Sequence, residues 1–553
     1  MHWYGTGDGC RIRITARTAG RLRLRYRDRN STASFAGHEH GSGRQETIRN
    51  ESIMICVSIG RGRHRHVIAE HKHLADNGIQ LVELRLDYIQ GAVQVKRLLA
   101  DRPCPAIITC RRAVDGGRWD KSEEQRLLLL RTAIVEGADY VDLEDDIANQ
   151  VPRYGKTKRI ISHHDFHKTP PDLAALHKKL TGMDADVVKI ATMANHPTDN
   201  LRMLEMVRAS KVPTVGVCMG EIGMPTRVLS GRAGAPFTYA TFHDDRVLAP
   251  GQIGWRQMRD VYRYESIAPA TMVYGVVADP VAHSLSPAVH NAALREAGID
   301  AVYLPFRVPA EQIDEFLSAA GRWPLAGLSV TIPHKESVLR HVKIQDDLVK
   351  AIGAANTLAF GAGGIAAFNT DATAAVESLE AALREQDAAT PPTEGFGVKT
   401  ALVLGAGGAA RAVAFGLRKR GVDVTVTSRT LERSKKIAAE VGCKAVDWAA
   451  RYRLPYDCLI NATPVGMHPN VDESPFDKEH LRSYMVVFDT VYNPENTLLV
   501  KEARAIGCRI VTGVEMFVRQ AAIQFKVWHG REAPQQIMRD ALKRATASAK
   551  QPV

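Results

Sequence analysis

The chain has 553 residues, room for about three domains of common size. Its 45% hydrophobic and 24% charged content is ordinary for a globular protein in water. It has neither an apolar run of roughly 18 residues nor a signal-peptide pattern, so no membrane span and no secretion leader are expected.

The net charge of +12 could serve nucleic acid or small anions, but residues 1–50 carry half of it, as ten arginines against four carboxylates. No nucleic-acid-binding motif follows, so no nucleic-acid partner is expected. Residues 1–52 are rich in Arg, Gly, Ser and Thr and lack apolar periodicity, which predicts a disordered basic extension before a natural start near Met54. The cysteines (Cys10, Cys56, Cys104, Cys110, Cys218, Cys443, Cys458, Cys508) form no C-x-x-C pair and mostly lie in apolar runs. Reduced core thiols in a cytoplasmic protein are expected.

From Ile53 onward, short apolar runs alternate with amphipathic stretches. The runs are Ile53–Ile59, Leu81–Leu86, Ala106–Cys110, Tyr140–Leu143, Arg159–Ser162, Val187–Ala191, Thr214–Cys218 and Phe237–Phe242. Between them Glu123–Val135, Asp172–Leu180 and Asn200–Ser210 carry apolar residues at helical spacing. Eight strands alternating with helices predict a parallel (β/α)8 TIM barrel over 53–262, with an open doubly wound sheet as the alternative.

In such a barrel the chemistry sits at the C-terminal strand ends. Polar residues collect there. Glu83 and Arg85 share one face of the second strand, Arg111 follows the third, and Asp142 and Glu144 end the fourth. His163 and His164 end the fifth strand, Lys189 lies on the sixth, Arg227 follows the seventh, and Gln252 is in a turn after the eighth. An ammonium in an apolar strand needs a partner or gives up its proton, and a neutral amine attacks carbonyl carbon. Arg85, Arg111 and Arg227 suit a carboxylate-bearing anion and, by like-charge repulsion, favour the neutral amine of Lys189. A neighbouring histidine can move protons. These residues point to a Schiff-base enzyme for an anionic ketone, either an aldolase or a dehydratase.

Residues 53–257 resemble type I 3-dehydroquinate dehydratase. The resemblance is carried by Val57-Ser58, Glu83 to Asp87, Ser162 to Pro170, Val188 to Ala191 and Ala249 to Gln252. It implies that Lys189 forms an imine with the C3 ketone of 3-dehydroquinate. His164 would make and break the imine and move the proton in a syn elimination of water. Ser58, Glu83, Arg85, Arg111, Arg227 and Gln252 would bind substrate. The chain has Leu248 where the family commonly has Ser or Thr, and Asp115 where it often has Glu.

The periodic pattern breaks between Tyr262 and Thr271, and the apolar run Met272–Val277 opens a second unit. Ser284 and Ser286 precede a helix start, where hydroxyls and helix amides together suit an anion. Lys335, Asn356 and Asp371 stand at turns after strands and could bind a polyol, with Lys335 and Asp371 as an acid/base couple or a plain surface ion pair. Residues 387–397 read as a linker. The run Thr400 to Arg411 is a strand, a glycine-rich turn (Gly405, Ala406, Gly407, Gly408, Ala409) and a helix start. The next strand, Asp423–Thr427, ends in Ser428, Arg429 and Thr430, with Arg433 close behind. A ribose 2′-hydroxyl would call for a carboxylate here, so a hydroxyl and two arginines suit the 2′-phosphate of NADP. Strands near Cys458–Asn461, Val486–Asp489 and Arg509–Thr512 complete a Rossmann-like sheet.

Residues 272–530 resemble shikimate dehydrogenase, on Ser284 to Asn291, Ser329 to Lys335, Asn369 to Asp371, Gly405 to Ala409, Ser428 to Thr430, Asn461 to Met467, Val491 to Pro494 and Gly513 to Ala522. The resemblance implies Lys335 as acid/base beside Asp371, with Ser284, Ser286, Thr331, Asn356, Asp371 and Gln520 on shikimate. It also implies NADP at Gly405–Ala409 and Ser428–Arg433, with Thr490 and Gly513 near the nicotinamide. Ala372 stands where the family usually has Gly. The domains expected are 53–262, then 271–390 completed by helices in 516–545, then 398–515. Together the two resemblances imply a bifunctional enzyme of the shikimate pathway, with 3-dehydroquinate, 3-dehydroshikimate and shikimate as its small-molecule partners and no metal. The His64, His66, His71, His73 run reads as a solvated helix start. A quinate/shikimate dehydrogenase and a non-catalytic quinate/shikimate-binding regulator are the alternatives, and the intact Lys189, His164, Lys335 and Asp371 speak against the regulator.

Overall fold

A computed structural model describes residues 53–243, 245–386, 397–468 and 470–548. The basic extension expected over 1–52 and all but Gly397 of the linker expected over 387–397 lie outside the described residues. The first sheet contains β1 (Met54–Ile59), β2 (Leu81–Arg85), β3 (Ala106–Thr109), β4 (Tyr140–Glu144), β5 (Lys158–Asp165), β6 (Val187–Met193), β7 (Thr214–Met219) and β8 (Phe237–Thr241). All its pairings are parallel, in the order β7-β6-β5-β4-β3-β2-β1-β8. No ladder joins β7 to β8 among the described residues, so the barrel is near-closed, and the open-sheet alternative falls. Around it lie α1 (His64–Asp76), α2 (Val95–Leu99), α3 (Glu123–Val135), α4 (Leu173–Thr181), α5 (Pro197–Ala209) and α6 (Gly220–Leu229). The expected alternation fails in one place: β4 and β5 are joined through a single 3₁₀ turn, Ala148–Gln150.

The two-residue period of a strand builds the site's floor. Leu81, Ile107, Ile160, Val187 and Phe237 form one buried cluster in the interior. Two residues further along each of these strands come Glu83, Thr109, Ser162, Lys189 and Tyr239, so each polar side chain stands above an apolar one. The floor keeps water out from below. One expectation about the outer layer is corrected: His71 is not solvated but buried on the inner face of α1, its Nε2 3.1 Å from the carbonyl of Cys104.

The second sheet is mixed, with β9 (Met272–Ala278), β10 (Ala301–Arg307), β11 (Leu325–Val330), β12 (Ile344–Gln345), β13 (Thr357–Gly361) and β14 (Gly364–Phe368) in the order β10-β9-β11-β13-β14-β12. Its helices are α7 (Ser286–Glu296), α8 (Ile313–Ser318), α9 (Asp347–Ile352) and α10 (Asp371–Gln386). The third sheet is wholly parallel, with β15 (Thr400–Leu404), β16 (Asp423–Ser428), β17 (Lys444–Asp447), β18 (Cys458–Asn461), β19 (Val486–Asp489) and β20 (Arg509–Val511) in the order β17-β16-β15-β18-β19-β20. That is the doubly wound dinucleotide-binding order. Its helices are α11 (Gly408–Lys419), α12 (Leu431–Val441) and α13 (Leu498–Ile506); then α14 (Gly513–His529) and α15 (Gln535–Ser548) return to pack on α7.

One apolar cluster runs from the barrel's outer layer, through residues such as Leu201, Met224 and Val228, into the second sheet at Val273, Val277, Val302 and Leu304. The third sheet has separate cores around Val403 and Leu459. Barrel and second sheet therefore share a core, and the third sheet stands apart.

Candidate active sites

At the barrel rim Glu83, Arg85, Arg111, His164, Lys189, Arg227 and Gln252 line one pocket. Lys189 is 7% exposed. Its Nζ donates to Asp142 Oδ2 at 2.9 Å and lies 3.7 Å from Glu83 Oε1, with the Tyr239 ring centroid 4.1 Å away. Arg111 pairs with Asp142 and with Glu144, each at 2.8 Å. Arg85 forks onto Asp87. The arginines expected to act on Lys189 by like-charge repulsion are there, but Arg85 and Arg111 are themselves ion-paired, so the lysine is not left among cations alone. Its nearest charges are carboxylates, because several buried cations are tolerated only with counter-charges. Arg227 differs from the other two arginines. Its Nη2 donates to the Pro250 carbonyl, it has no ion pair among the described residues, and burial lowers its pKa to about 10. It is the guanidinium left to meet an anion.

Burial alone would raise the Asp142 carboxyl, but Arg111 and Lys189 outweigh it and hold this group far below the usual range. Glu83 is held low in the same way, against burial, by Lys189 and Arg85. The hydroxyls of Ser58 and Thr109 both donate to Glu83, at 2.7 and 2.8 Å, so Ser58 supports the wall of the pocket rather than lining it. Burial, and then the Arg111 and Lys189 cations, push the His164 imidazole well below its ordinary value, which leaves the ring neutral at pH 7. Gln252 accepts the backbone N–H groups of Leu248 and Ala249 on its Oε1, which fixes its amide at the pocket wall.

In the second half Lys335 Nζ donates to Asp371 Oδ2 at 2.6 Å, and their side chains are 16% and 9% exposed, which is no surface ion pair. Asn356 Nδ2 donates to the other Asp371 oxygen at 2.8 Å, while its Oδ1 accepts from the Thr370 N–H and the Thr357 hydroxyl. Asp371 is thereby fixed at the start of α10. Ser284 Oγ accepts from the Ser286 N–H at 3.4 Å where α7 begins. The Thr331 N–H donates to Val277, tying that turn to β9. Gln520 donates its amide to Phe517 in its own helix and accepts Thr370 on its carbonyl, so it borders the Asp371 corner without a side-chain bond to it.

The glycine-rich turn fits a dinucleotide. Gly405 has φ +117°, and a Cβ there would stand 2.6 Å from the Ala462 carbonyl oxygen. A Cβ on Gly513 would stand 2.3 Å from that of Val491, and Thr490 is held by its N–H on Asn461. Gly407 caps α11 and has open space beside it, where Ala406 to Ala409 present helix-terminal N–H groups to an anion. A Cβ on Gly408 would stand 3.1 Å from Lys335 Cδ, so this turn abuts the second lysine. At the end of β16 the Ser428 hydroxyl donates to the Thr430 carbonyl, and Arg429 and Arg433 are exposed with no ion pair among the described residues, as a 2′-phosphate requires.

Several members of the two sites carry no signal of a role in the sequence. Asp142 and Glu144 are legible only as a polar strand end, although Asp142 has the same inward parity as Lys189. Tyr239 under the amine left no polar signal. The chain Tyr303 OH to Ser329 Oγ to Gln524 Oε1, at 2.6 and 2.8 Å, joins three segments far apart in sequence. Gln524 also donates to the Asn356 carbonyl and the Thr357 hydroxyl, each at 3.0 Å, and so braces the Asp371 corner.

A caged lysine in a barrel, followed by a carboxylate-paired lysine against a glycine-rich turn, is the layout of a two-headed enzyme: a lyase joined to a nucleotide-dependent oxidoreductase. Comparison with known proteins agrees in both halves. Residues 55–269 match the type I 3-dehydroquinase family. Residues 276–358 match the shikimate dehydrogenase substrate binding domain, 387–472 shikimate / quinate 5-dehydrogenase, and 513–543 the shikimate 5'-dehydrogenase C-terminal domain. A chloroplastic bifunctional 3-dehydroquinate dehydratase/shikimate dehydrogenase of Arabidopsis thaliana is 36% identical over 515 residues, covering 90% of this chain and 85% of that one. A shikimate dehydrogenase (NADP(+)) of Methanopyrus kandleri is 42% identical over 50% of this chain and 97% of its own. The structure of shikimate 5-dehydrogenase from Thermus thermophilus, in complex with NADP(H) and shikimate, is 36% identical over 50% of this chain and 99% of that one, with a TM-score of 0.44. The chain belongs to the bifunctional 3-dehydroquinate dehydratase/shikimate dehydrogenases.

Proposed function

We propose that the chain dehydrates 3-dehydroquinate to 3-dehydroshikimate in its barrel and reduces 3-dehydroshikimate to shikimate in its second half, with NADPH as reductant. The observation that carries this reading is the pairing in one chain of a caged, inward lysine with a second lysine that touches the dinucleotide turn. In the barrel, Arg227 takes the substrate carboxylate and Gln252 orients the ring. The Lys189 amine adds to the C3 carbonyl carbon, the carbinolamine loses water, and the resulting iminium acidifies the adjacent C–H. His164, neutral because it is buried among cations, accepts that proton and returns one to the departing hydroxyl, so the elimination is syn. Water then releases the product and the amine. Asp142 and Glu83 hold the amine's position and balance the charge of the iminium.

In the second half Ser284 and Ser286 hold the carboxylate, and Asn356 and Asp371 hold ring hydroxyls. Lys335, oriented by Asp371, gives its proton to the oxygen of the reacting carbonyl, or removes it in the reverse direction. NADPH supplies the hydride when bound, with Gly405 to Ala409 on its pyrophosphate and Arg429 and Arg433 on its 2′-phosphate.

Borohydride reduction in the presence of 3-dehydroquinate, followed by peptide mass spectrometry, tests the first half. The adduct is expected on the peptide carrying Lys189, and an unmodified Lys189 would sink the dehydratase reading. We also propose a reducing, cytoplasmic location, since the described cysteines are free thiols and most are buried. Recovery of the chain from an organelle fraction would overturn that.

A further inference from the structure

We propose that Glu221 is a positioning residue shared by both sites, holding the start of α6 and the loop between β9 and α7 in one register. This rests on the two-activity reading above. On the barrel side, α6 carries Arg227 into the pocket, and Met219 just before it lines the same pocket. The Gly220 N–H donates to the Pro250 carbonyl at 3.2 Å, the same oxygen that accepts Arg227 Nη2 at 2.8 Å. A Cβ on Gly251 would stand 2.4 Å from the Gly220 carbonyl oxygen. The start of α6 and the turn bearing Gln252 are thus packed backbone on backbone.

On the other side, Glu221 Oε2 accepts from Arg307 Nη1 at 2.9 Å, and its Oε1 accepts from the Val281 N–H at 3.4 Å. Arg307 also donates through Nε to Asp279 Oδ1 at 2.9 Å. The Asp279 N–H donates to the Ile332 carbonyl at 3.1 Å, next to Thr331. One carboxylate therefore closes a path from Gln252 and Arg227 to the loop that presents Ser284. Other ionic links between the halves, His196 with Glu315 and Arg322 with Glu205, join α5 to α8 and its neighbouring turn, which carry none of the proposed site residues.

The Glu221 and Arg307 side chains are 30% and 38% exposed, so their pair adds little to stability. What it can do is fix geometry. A carboxylate bound at Ser284 and Ser286 would order the loop, leaving the start of α6 already placed when the barrel's substrate arrives. An ion pair this exposed limits such coupling to about fivefold.

The test uses the full chain and measures dehydratase KM for 3-dehydroquinate without and with saturating shikimate, in the absence of nucleotide so that the second site binds without turning over. We expect shikimate to lower KM by roughly two- to fivefold in the wild type and not at all in Glu221→Ala. In that variant KM for shikimate should rise by a similar factor, with both kcat values within about twofold. Glu221→Gln, which keeps an acceptor, should recover part of the shift, and Arg307→Ala should lose it, which covers the case of a Glu221→Ala chain that fails to fold. No shift in the wild type, a shift retained in both alanine variants, or a KM raised equally in every protein would overturn the proposal. A wild type lacking one of the two activities would instead overturn the two-activity reading.

Discussion

Lys189 and Lys335 are held in opposite ways. Lys189 lies inside one barrel, touched by groups from several strands: two carboxylates, an aromatic face and a neutral histidine nearby. Lys335 lies at the seam between two sheets, with one carboxylate partner and a glycine of the dinucleotide turn against its stem. The difference fits the chemistry proposed for each. A nucleophile that becomes covalently bound needs a rigid surround that also tolerates its cation, and one near-closed sheet supplies that. A proton donor needs one orienting partner and a face open to a cofactor, and a seam between domains supplies that.

Replacing the first lysine should give the largest effect and test whether the halves are separable. Lys189→Ala is expected to lower dehydratase kcat by a factor on the order of 10⁶, the scale of deleting a covalent nucleophile, while NADP-dependent shikimate oxidation stays within about twofold. Loss of both activities in a folded variant would mean that the shared core between barrel and second sheet carries more than position. The complementary change, Lys335→Ala, should lower shikimate oxidation by about 10² to 10⁴, the range for a general acid/base, with dehydration unchanged. A smaller fall would mean that the Lys335–Asp371 pair orients substrate without moving the proton.

The pH response should separate the sites further. The folded pKa of His164 lies well below 6.5, so the active neutral form persists below that pH, and the acid limb of dehydratase kcat should fall there rather than at an ordinary histidine value. The sign for stability agrees. A depressed folded pKa gives a contribution fully present above the unfolded value and lost as pH falls toward the folded one, so acid destabilisation from this ring begins below about 6.5. A dehydratase acid limb at or above 6.5 in kcat would remove His164 as the neutral base.

The same contrast explains what could be read from the chain alone. The eight barrel strands were legible because each is a short apolar run bounded by polar turns, and strand parity alone puts Lys189, Glu83 and Asp142 on the inner face. The counter-charges were not, because a partner such as Asp142, 47 residues away, is set by register between strands. In the second half the glycine-rich turn was legible as local backbone chemistry. Gln524, which bonds Ser329 from 195 residues away, was not. Arg429 and Arg433 could be named from the chain because the role proposed for them needs no partner in the fold, and they have no ion pair among the described residues. Arg429→Ser with Arg433→Ser is accordingly expected to raise KM for NADP⁺ by about 10- to 100-fold, the worth of charge-assisted hydrogen bonds, with kcat little changed. An unchanged preference for NADP⁺ over NAD⁺ would place the 2′-phosphate elsewhere.

A smaller effect on the barrel's chemistry is expected at Tyr239, and it tests how the barrel lysine tolerates its own charge. The ring centroid lies 4.1 Å from Lys189 Nζ, and the phenol oxygen is buried with no hydrogen-bond partner among the described residues. An ammonium and an iminium both place positive charge on this nitrogen, so an aromatic face serves it before and after the imine forms, whereas the N–H groups it can donate fall from three to one. A desolvated contact of this kind is worth up to about 2 kcal/mol. Tyr239→Leu should therefore lower dehydratase kcat by about tenfold and lower the fraction of Lys189 trapped by borohydride. Tyr239→Phe keeps the face and should stay within about twofold. If the phenylalanine variant falls as far as the leucine variant, the hydroxyl rather than the ring is what the amine uses.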